Sequence, residues 1–358
     1  MVSKEKLFLI ASQFKIEGKI AEIYSLGAGF INDTFLVRTY GAQFDYILQR
    51  KNRRVFPDIP AMMQNIVDIT AHIKTKVDDP LRETLTVVPT KDRKYFYFDG
   101  EHYWAMVVYI ENSITYDSVE SSSIAYCGGV GIGRFQNLLA DFDKQLHETI
   151  PGFHNICFRF GQWEEALSAD RVGRVRHLKR EIDAVEVRRE EILRFWQKIE
   201  SGEIPKRVAH NDTKISNILF DKHTKNPLCV IDLDTVMTST SLYDFGDAIR
   251  SYTNTGKEDD NYLDNVSMDL ERFRAFAEGY LSEQKSLNSI ELQWLAFSAR
   301  YITYEQALRF LMDYINGDTY YKIAFPEHNL IRTCTQLHLL ESMEEQYDAM
   351  CAVISELS

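Results

Sequence analysis

Segments that read as β-strands crowd into the first third of this 358-residue chain, and helical segments dominate the rest. Short apolar or alternating runs predict strands at 20–26, 34–39, 44–50, 85–89, 95–98 and 103–110. Helical spacing marks 4–14 and 57–76, then 118–148, 173–199, 267–284, 289–316 and 328–354. Strands gathered ahead of helices, without regular alternation between them, predict an α+β architecture. A chain of this length with 45% apolar residues buries a large core but exceeds one compact unit. Two lobes are therefore expected, 1–111 with a small antiparallel sheet and 112–358 mainly helical, with a polar, turn-rich hinge near 110–117.

The chemistry-bearing stretch is HNDTKISN at 210–217, followed by VIDLD at 230–234. Asp212 is placed to take a proton from an acceptor hydroxyl, and Asn217 five residues on to turn an amide oxygen toward a metal. Asp232 completes a metal site from the end of the next strand, with Asp234 supporting it. Apolar segments 218–220 and 229–231 read as the short buried strands that frame these groups. Either half alone is an ordinary Asx turn or a capped strand end; together they are the parts of phosphoryl transfer, in which the protein supplies position and charge.

Asp244-Phe245-Gly246 spells the metal-binding triplet of protein kinases. Spacing argues against that role, because Asp232 lies 20 residues after Asp212 whereas Asp244 lies 32 after it. Asp244 is expected to hydrogen-bond backbone near the catalytic loop and to help start a helix over 245–253. For Asp244 and Asp247, plain helix capping and a part in catalysis both stay open. His210 is expected to brace the loop, and Lys214 either neutralises charge on the transferring group or is simply solvated.

Residues 210–220, 230–235 and 243–250 resemble the aminoglycoside phosphotransferase and choline kinase-like superfamily, whose fold is a cousin of the protein kinase fold. HNDTKISNILFD, VIDLDTVM, SLYDFGDAIR and RFLMDYINGDTYYKI are most similar to bacterial N-acetylhexosamine 1-kinases, and the resemblance runs from about residue 23 to 322. It implies a protein kinase-like two-lobe fold, ATP and Mg2+ as cofactors, and a small-molecule acceptor, with the anomeric hydroxyl of an N-acetylhexosamine or related sugar as the site of transfer. Arg309 and Tyr320 would then contact the sugar; the alternative reading is a helix end, with Asn316-Gly317 as its cap and Arg309 paired to Glu305. Phe30 stands where the hexosamine kinases commonly have His, and Ser251 where an aromatic is usual, so the sugar is a different one or is held differently.

On the nucleotide side, Gly27, Gly29 and Asn32 lie in a turn between two predicted strands, where glycines let backbone amides approach phosphate. Such a turn is also an ordinary hairpin connection. By the resemblance, Gln49 occupies the family's basic position on the third strand, and Arg50 is the favoured phosphate-binding cation, its alternative being a solvated strand end. The helix at 57–76 contains no glutamate, so the usual ion pair is lost or carried by Asp68. Adenine is expected against backbone near Tyr109, Ile110 and Glu111.

Composition narrows the remaining classes. A net charge of −12 argues against nucleic-acid or anionic-membrane partners. The one basic run, 171–176, precedes acidic residues 181–191 and reads as a helix carrying both signs. No apolar run reaches bilayer length, and five scattered cysteines form no metal or C-x-x-C spacing, so reduced thiols and a cytoplasmic monomer or weak homo-oligomer are expected. Rival readings are a kinase for choline, homoserine or an aminoglycoside, and a catalytically inactive nucleotide-binding module. The inactive module is disfavoured because Asp212, Asn217 and Asp232 are all present. A protein kinase is disfavoured by the missing third-strand lysine, helical glutamate and Ala-Pro-Glu segment.

Overall fold

Period-two burial along the N-terminal strands decides what each of their faces meets. In the computed structural model, which describes residues 2–26 and 31–358, five strands form an antiparallel sheet. These are β1 (Lys19–Ser25), β2 (Asp33–Tyr40), β3 (Tyr46–Lys51), β4 (Tyr97–Phe98) and β5 (Tyr103–Val108), in the order β1-β2-β3-β5-β4. Tyr46 and Leu48 of β3 share one face, and their register partners Val37, Met106 and Val108 are buried with them. Helix α1 (Lys4–Ala11), capped by Ser3, lays Leu7, Ile10 and Ala11 on that face. The expected strand at 85–89 makes only an isolated bridge, Val87 to Val107.

The chain divides into two compact units, and the division is not sequential. The first is Met1–Thr115 with Leu138–Pro151 and Ile218–Thr238; the second is Tyr116–Asn137, Gly152–Asn217 and Ser239–Ser358. The first unit contains α2 (Ile59–Lys74) and a three-stranded antiparallel sheet. In that sheet β6 (Ser113–Ile114) pairs with β8 (Ile218–Asp221), and β8 with β9 (Pro227–Val230). Asn65 of α2 is buried and satisfied at both ends of its amide: Nδ2 donates to the carbonyls of His147 (2.8 Å) and Val236 (3.0 Å), and Oδ1 accepts from the His147 amide (2.9 Å). A helical residue thereby ties α2 to the segment that follows Asp234.

The second unit is mainly helical, and its strand β7 (Arg207–Ala209) leads into the candidate catalytic loop, 210–217. The expected helix from residue 118 is α3 (Ser122–Leu138), and it stops ten residues early. Helix α4 (Ile156–Ala169) was not foreseen, although buried Ile156, Phe160 and Trp163 keep i, i+4, i+7 spacing behind the N-cap Asn155. Residues 173–199 break into α5 (Lys179–Glu186) and α6 (Arg189–Glu200). The basic run is not part of these helices: Arg174 instead reaches Asp318 at 2.7 Å. Helices α7 (Ser241–Tyr252), α8 (Leu270–Glu283), α9 (Ser289–Ile315), α10 (His328–Glu345) and α11 (Tyr347–Leu357) follow, the expected helix over 328–354 breaking at Gln346.

Helix α9 is central to this unit, and its start is fixed by a capping box between Asn288 and Glu291. Glu291 also takes a bidentate pair from Arg207 (2.6 and 2.7 Å), which anchors the strand ahead of the catalytic loop. The Asp-Phe-Gly triplet lies inside α7. Phe245 is buried edge-on among Phe273, Phe276 and Tyr280, and Gly246 sits where a Cβ would collide with the Ser298 carbonyl oxygen of α9. Gly246→Ala is therefore expected to cost about 1–3 kcal/mol through overpacking. Thermal unfolding checks this; an unchanged melting temperature would refute the close approach of α7 and α9.

Among the described residues no helix is long and apolar enough to cross a membrane. All five cysteines are free, and burial pushes the Cys229 thiol up to about 12, which keeps it a thiol.

Candidate active site

The candidate catalytic loop, 210–217, leaves ordinary backbone space at its second residue: Asn211 has φ of 64°, a left-handed conformation that asparagine tolerates better than most side chains. That turn aims successive amides at the N-terminal half of α7. The amides of His210 (2.9 Å) and Asn211 (2.7 Å) donate to the carboxylate of Asp244, which also accepts from Gln136 Nε2 (2.7 Å). The Thr213 amide donates to Asp247 Oδ2 at 2.9 Å, and the Thr213 hydroxyl to the Asp244 carbonyl at 2.7 Å. His210, fully buried, accepts the Asp212 amide on Nδ1 at 3.2 Å. Two helix acids thus hold three of the loop's amides, those of His210, Asn211 and Thr213, while α7 itself begins at Ser241 behind its cap Thr240, four residues before the expected start.

Burial raises the Asp244 carboxyl above its ordinary value, and the neighbouring His210 and the three N–H donors oppose that rise. Burial acts the same way on Asp247, but Arg250 at 2.9 Å outweighs it, aided by Lys214 and the Thr213 amide, and Asp247 ends below the usual carboxylate range. Arg250 carries that charge on to Glu258 at 3.2 Å.

Asp212 itself is only half-buried. Lys214 Nζ lies 3.0 Å from its Oδ1, and Asn217 Nδ2 donates to its Oδ2 (3.1 Å) and to its carbonyl (2.8 Å). Both bonds of Asn217 use the amide nitrogen, so its oxygen is the atom it can offer to a cation. The structure therefore brings His210, Asp212, Lys214, Asn217 and Asp244 together in the second unit.

In the first unit the grouping differs from expectation. Arg50 continues the face of Tyr46 and Leu48, and it pairs with Asp33, its register partner on β2. Gln49 and Lys51 occupy the opposite face. Lys51, whose side chain is 3% exposed, donates to Asp234 Oδ1 (2.7 Å) and Oδ2 (3.0 Å) and to Gln49 Oε1 (2.7 Å). The buried cation of this strand is Lys51 and not Arg50, a consequence of strand alternation that alignment by residue type did not register. Its acid partner is Asp234. Asp68 of α2 pairs with Lys144 instead.

Asn32 is buried with its amide engaged at both ends, Nδ2 donating to Asp234 (2.8 Å) and Oδ1 accepting from the Asn52 amide (3.2 Å), and so it braces Asp234. Asp232 sits at φ 59°, a left-handed non-glycine position of the kind that accumulates where function holds strain in place. The Tyr109 amide, expected near adenine, is spent on the Asp45 carbonyl (2.9 Å). The Tyr109 carbonyl and the Glu111 amide have no hydrogen-bond partner among the described residues, and neither have the Ile110 amide and the Glu111 carbonyl. Gly27, Gly29 and Phe30 lie outside the described residues.

On the acceptor segment, Arg309 does not pair with Glu305. That carboxylate binds His154 at 2.8 Å and lies 3.6 Å from Arg159. The Arg309 guanidinium stands 5.2 Å from the Phe153 ring, 5.9 Å from Tyr320 and 5.7 Å from Tyr321. The Ser251 hydroxyl is turned back into α7, onto the Asp247 (3.2 Å) and Ala248 (3.1 Å) carbonyls, and so presents no donor outward.

Magnesium prefers oxygen donors and is commonly held by one or two carboxylates together with substrate phosphates. No group of three His, Cys, Asp or Glu side chains among the described residues could hold a metal by itself. The Asn217 amide oxygen fits a metal that arrives with phosphates. Asp234, already saturated by Lys51 and Asn32, fits a supporting role.

The fold has solved counterparts. It matches a microcompartment-associated aminopropanol kinase with a TM-score of 0.67 at 16% identity, covering 97% of this chain and 98% of that one. It also matches an aminoglycoside phosphotransferase from Alicyclobacillus acidocaldarius (TM-score 0.58, 10% identity, 100% and 95% covered) and an ethanolamine kinase from Plasmodium vivax (0.54, 13%, 88% and 82%). At these identities the likeness establishes the kinase-like aminoglycoside phosphotransferase fold. A family model carries identity further, because it matches residues 22–277, well over half of the chain, and includes both the third strand and the catalytic loop. On that match the chain belongs to the phosphotransferase enzyme family.

Proposed function

We propose that this phosphotransferase is an ATP- and magnesium-dependent kinase acting on the anomeric hydroxyl of an N-acetylhexosamine or a related uncharged sugar. Magnesium, when bound, supplies neutralisation of the phosphate charge. Asp212 orients the acceptor hydroxyl and takes its proton. Lys214 neutralises charge beside it, Asn217 and Asp232 offer oxygen donors to the metal, and Asp234 supports them. Lys51 takes the role first assigned to Arg50, that of the cation facing the nucleotide phosphates, and Gln49 holds its amine in place. The Tyr109 carbonyl and the Glu111 amide are the backbone groups assigned to adenine.

The observation that carries the sugar reading is the setting of Arg309. This guanidinium is ringed by Phe153, Tyr320 and Tyr321 and makes no salt bridge among the described residues. An arginine over aromatic faces offers N–H donors to hydroxyl and amide oxygens. The acids around it already face donors or cations: Glu305 has His154 at 2.8 Å from Oε2 and Arg159 at 3.6 Å from Oε1, Asp313 accepts from four N–H donors and Asp318 is paired with Arg174. A cationic acceptor would need an unspent carboxylate or an aromatic cage without a resident cation. Two of the matched structures are named as kinases of amino alcohols, so the amine reading is the rival to be tested.

The test is an ADP-release screen over N-acetylglucosamine, N-acetylgalactosamine, other hexoses, ethanolamine, aminopropanol, choline, homoserine and aminoglycosides. An N-acetylhexosamine is expected to give the highest kcat/KM; turnover confined to amines would overturn the sugar reading. Lys51→Met is expected to weaken ATP binding by roughly tenfold or more, since a charge-assisted contact to phosphate contributes about 1.5–3 kcal/mol, while Arg50→Met leaves it within about twofold. Calorimetric titration with a nucleotide reads both, and the opposite ranking would return the role to Arg50.

A further inference from the structure

The loop that carries Tyr320 is built around one buried carboxylate. Asp313, two residues before the end of α9, accepts the amides of Thr319 (2.9 Å) and Tyr320 (2.8 Å) on Oδ1. Its Oδ2 accepts the Tyr321 amide (2.9 Å) and Asn329 Nδ2 (2.9 Å), and its carbonyl accepts the Asp318 amide (2.8 Å). Three consecutive backbone amides thus close on a single anion, a nest occupied by a side chain of the same chain.

The flanking geometry serves the same end. Gly317 (φ 90°) and Asp318 (φ 61°) reverse the chain in the left-handed region. Asp318 is pinned by Arg174 (2.7 Å) and by Asn329 Nδ2 (2.9 Å), and Arg174 also donates to the Tyr314 carbonyl at 2.6 Å. Helix α9 is already terminated without any of this, since the Asn316 amide closes on the Met312 carbonyl and Gly317 follows in the conformation that ends helices. Of the three residues whose amides these bonds hold, Tyr320 is 57% exposed and contributes little to the core. Its ring meets Tyr321 edge-on at 4.8 Å, and both lie beside Arg309.

We propose that Asp313 is the positioning residue of acceptor recognition: it sets the backbone of 319–321 so that Tyr320 stands at a fixed place beside Arg309. The inference rests on the reading of Arg309 and Tyr320 as acceptor contacts. Asp313 touches no reacting atom and acts through Tyr320, so it belongs to substrate affinity and specificity and not to the proton transfer at Asp212.

The test is a double-mutant cycle of Asp313→Asn and Tyr320→Ala, run with whichever acceptor the wild type turns over in the screen. Asp313→Asn replaces one acceptor oxygen by an NH2 that faces N–H donors. It is expected to raise acceptor KM roughly tenfold, the scale of a small misplacement of a binding group, with kcat and ATP KM within about twofold. Tyr320→Ala raises acceptor KM by a similar factor, and the double variant shows no further rise, because the two changes share one effect. Asn329→Ala, which keeps the carboxylate and removes one donor, shifts acceptor KM in the same direction by less and guards against loss of folding in Asp313→Asn. Additive effects in the cycle, or parallel losses in kcat and ATP KM with acceptor KM unmoved, overturn the proposal. Failure of the sugar reading shows separately, as a wild-type preference for an amine acceptor.

Discussion

Asp212→Asn is expected to reduce kcat by about 10²–10⁴-fold, the usual contribution of a positioned general base, with ATP affinity within about twofold of wild type. The variant is nearly isosteric, so the effect isolates the proton acceptor. In the structure the carboxylate is already aimed, with Asn217 Nδ2 at 3.1 Å from Oδ2 and Lys214 Nζ at 3.0 Å from Oδ1. A neutral amide keeps the shape and loses the negative charge that draws both donors and receives the proton. Steady-state ADP release, set beside nucleotide titration of the same preparation, separates chemistry from binding. If the variant retains more than a tenth of wild-type kcat, Asp212 is not the base.

Asp244→Ala is expected to produce the largest loss of stability, about 3 kcal/mol or more. Three buried N–H groups, on His210, Asn211 and Gln136, would lose their acceptor together, and each stranded donor costs about 1–3 kcal/mol. The damage extends to function because those amides define the path of the chain into Asp212. Chemical denaturation reads the first effect and kcat the second, and both should fall in the same variant. A protein as stable as wild type would show that the loop holds its shape without α7 and that Asp244 merely fills space.

The two predictions divide the acids of the site by the kind of evidence that found them. Asp212 and Asn217 stand out along the chain because a loop of eight residues brings its own members together whatever else the protein does, and Asp232 stands out by residue type and spacing from them. The separation of Asp232 from Asp212 also lowered the standing of the Asp-Phe-Gly triplet, and the structure shows what those three residues touch. Asp244 holds backbone, Phe245 fills an aromatic core, and Gly246 admits α9. The α+β plan was legible for the same local reason, since period-two and period-3.6 patterns are properties of consecutive residues. Where helices broke, at 187–188 and at Gln346, or stopped early, at Leu138, the apolar pattern continued and gave no sign of it.

Long-range choices were not legible. Gln49, Arg50 and Lys51 are three polar residues in a row, and nothing local says which of them turns toward Asp234, 183 residues after Lys51. Asp313 likewise looks like any acid near a helix end until the loop after it is seen folding back onto its carboxylate. The phosphotransferase class was legible in the sequence itself, because the motif that carries it, residues 210–217, is contiguous and proximity along the backbone needs no tertiary partner. The tertiary structure decided which cation is buried with Asp234, which acids hold the loop, and how Tyr320 is set beside Arg309. Those outcomes depend on elements distant in sequence packing against one another, and the free energy of burying a charge selects a partner only once that packing exists.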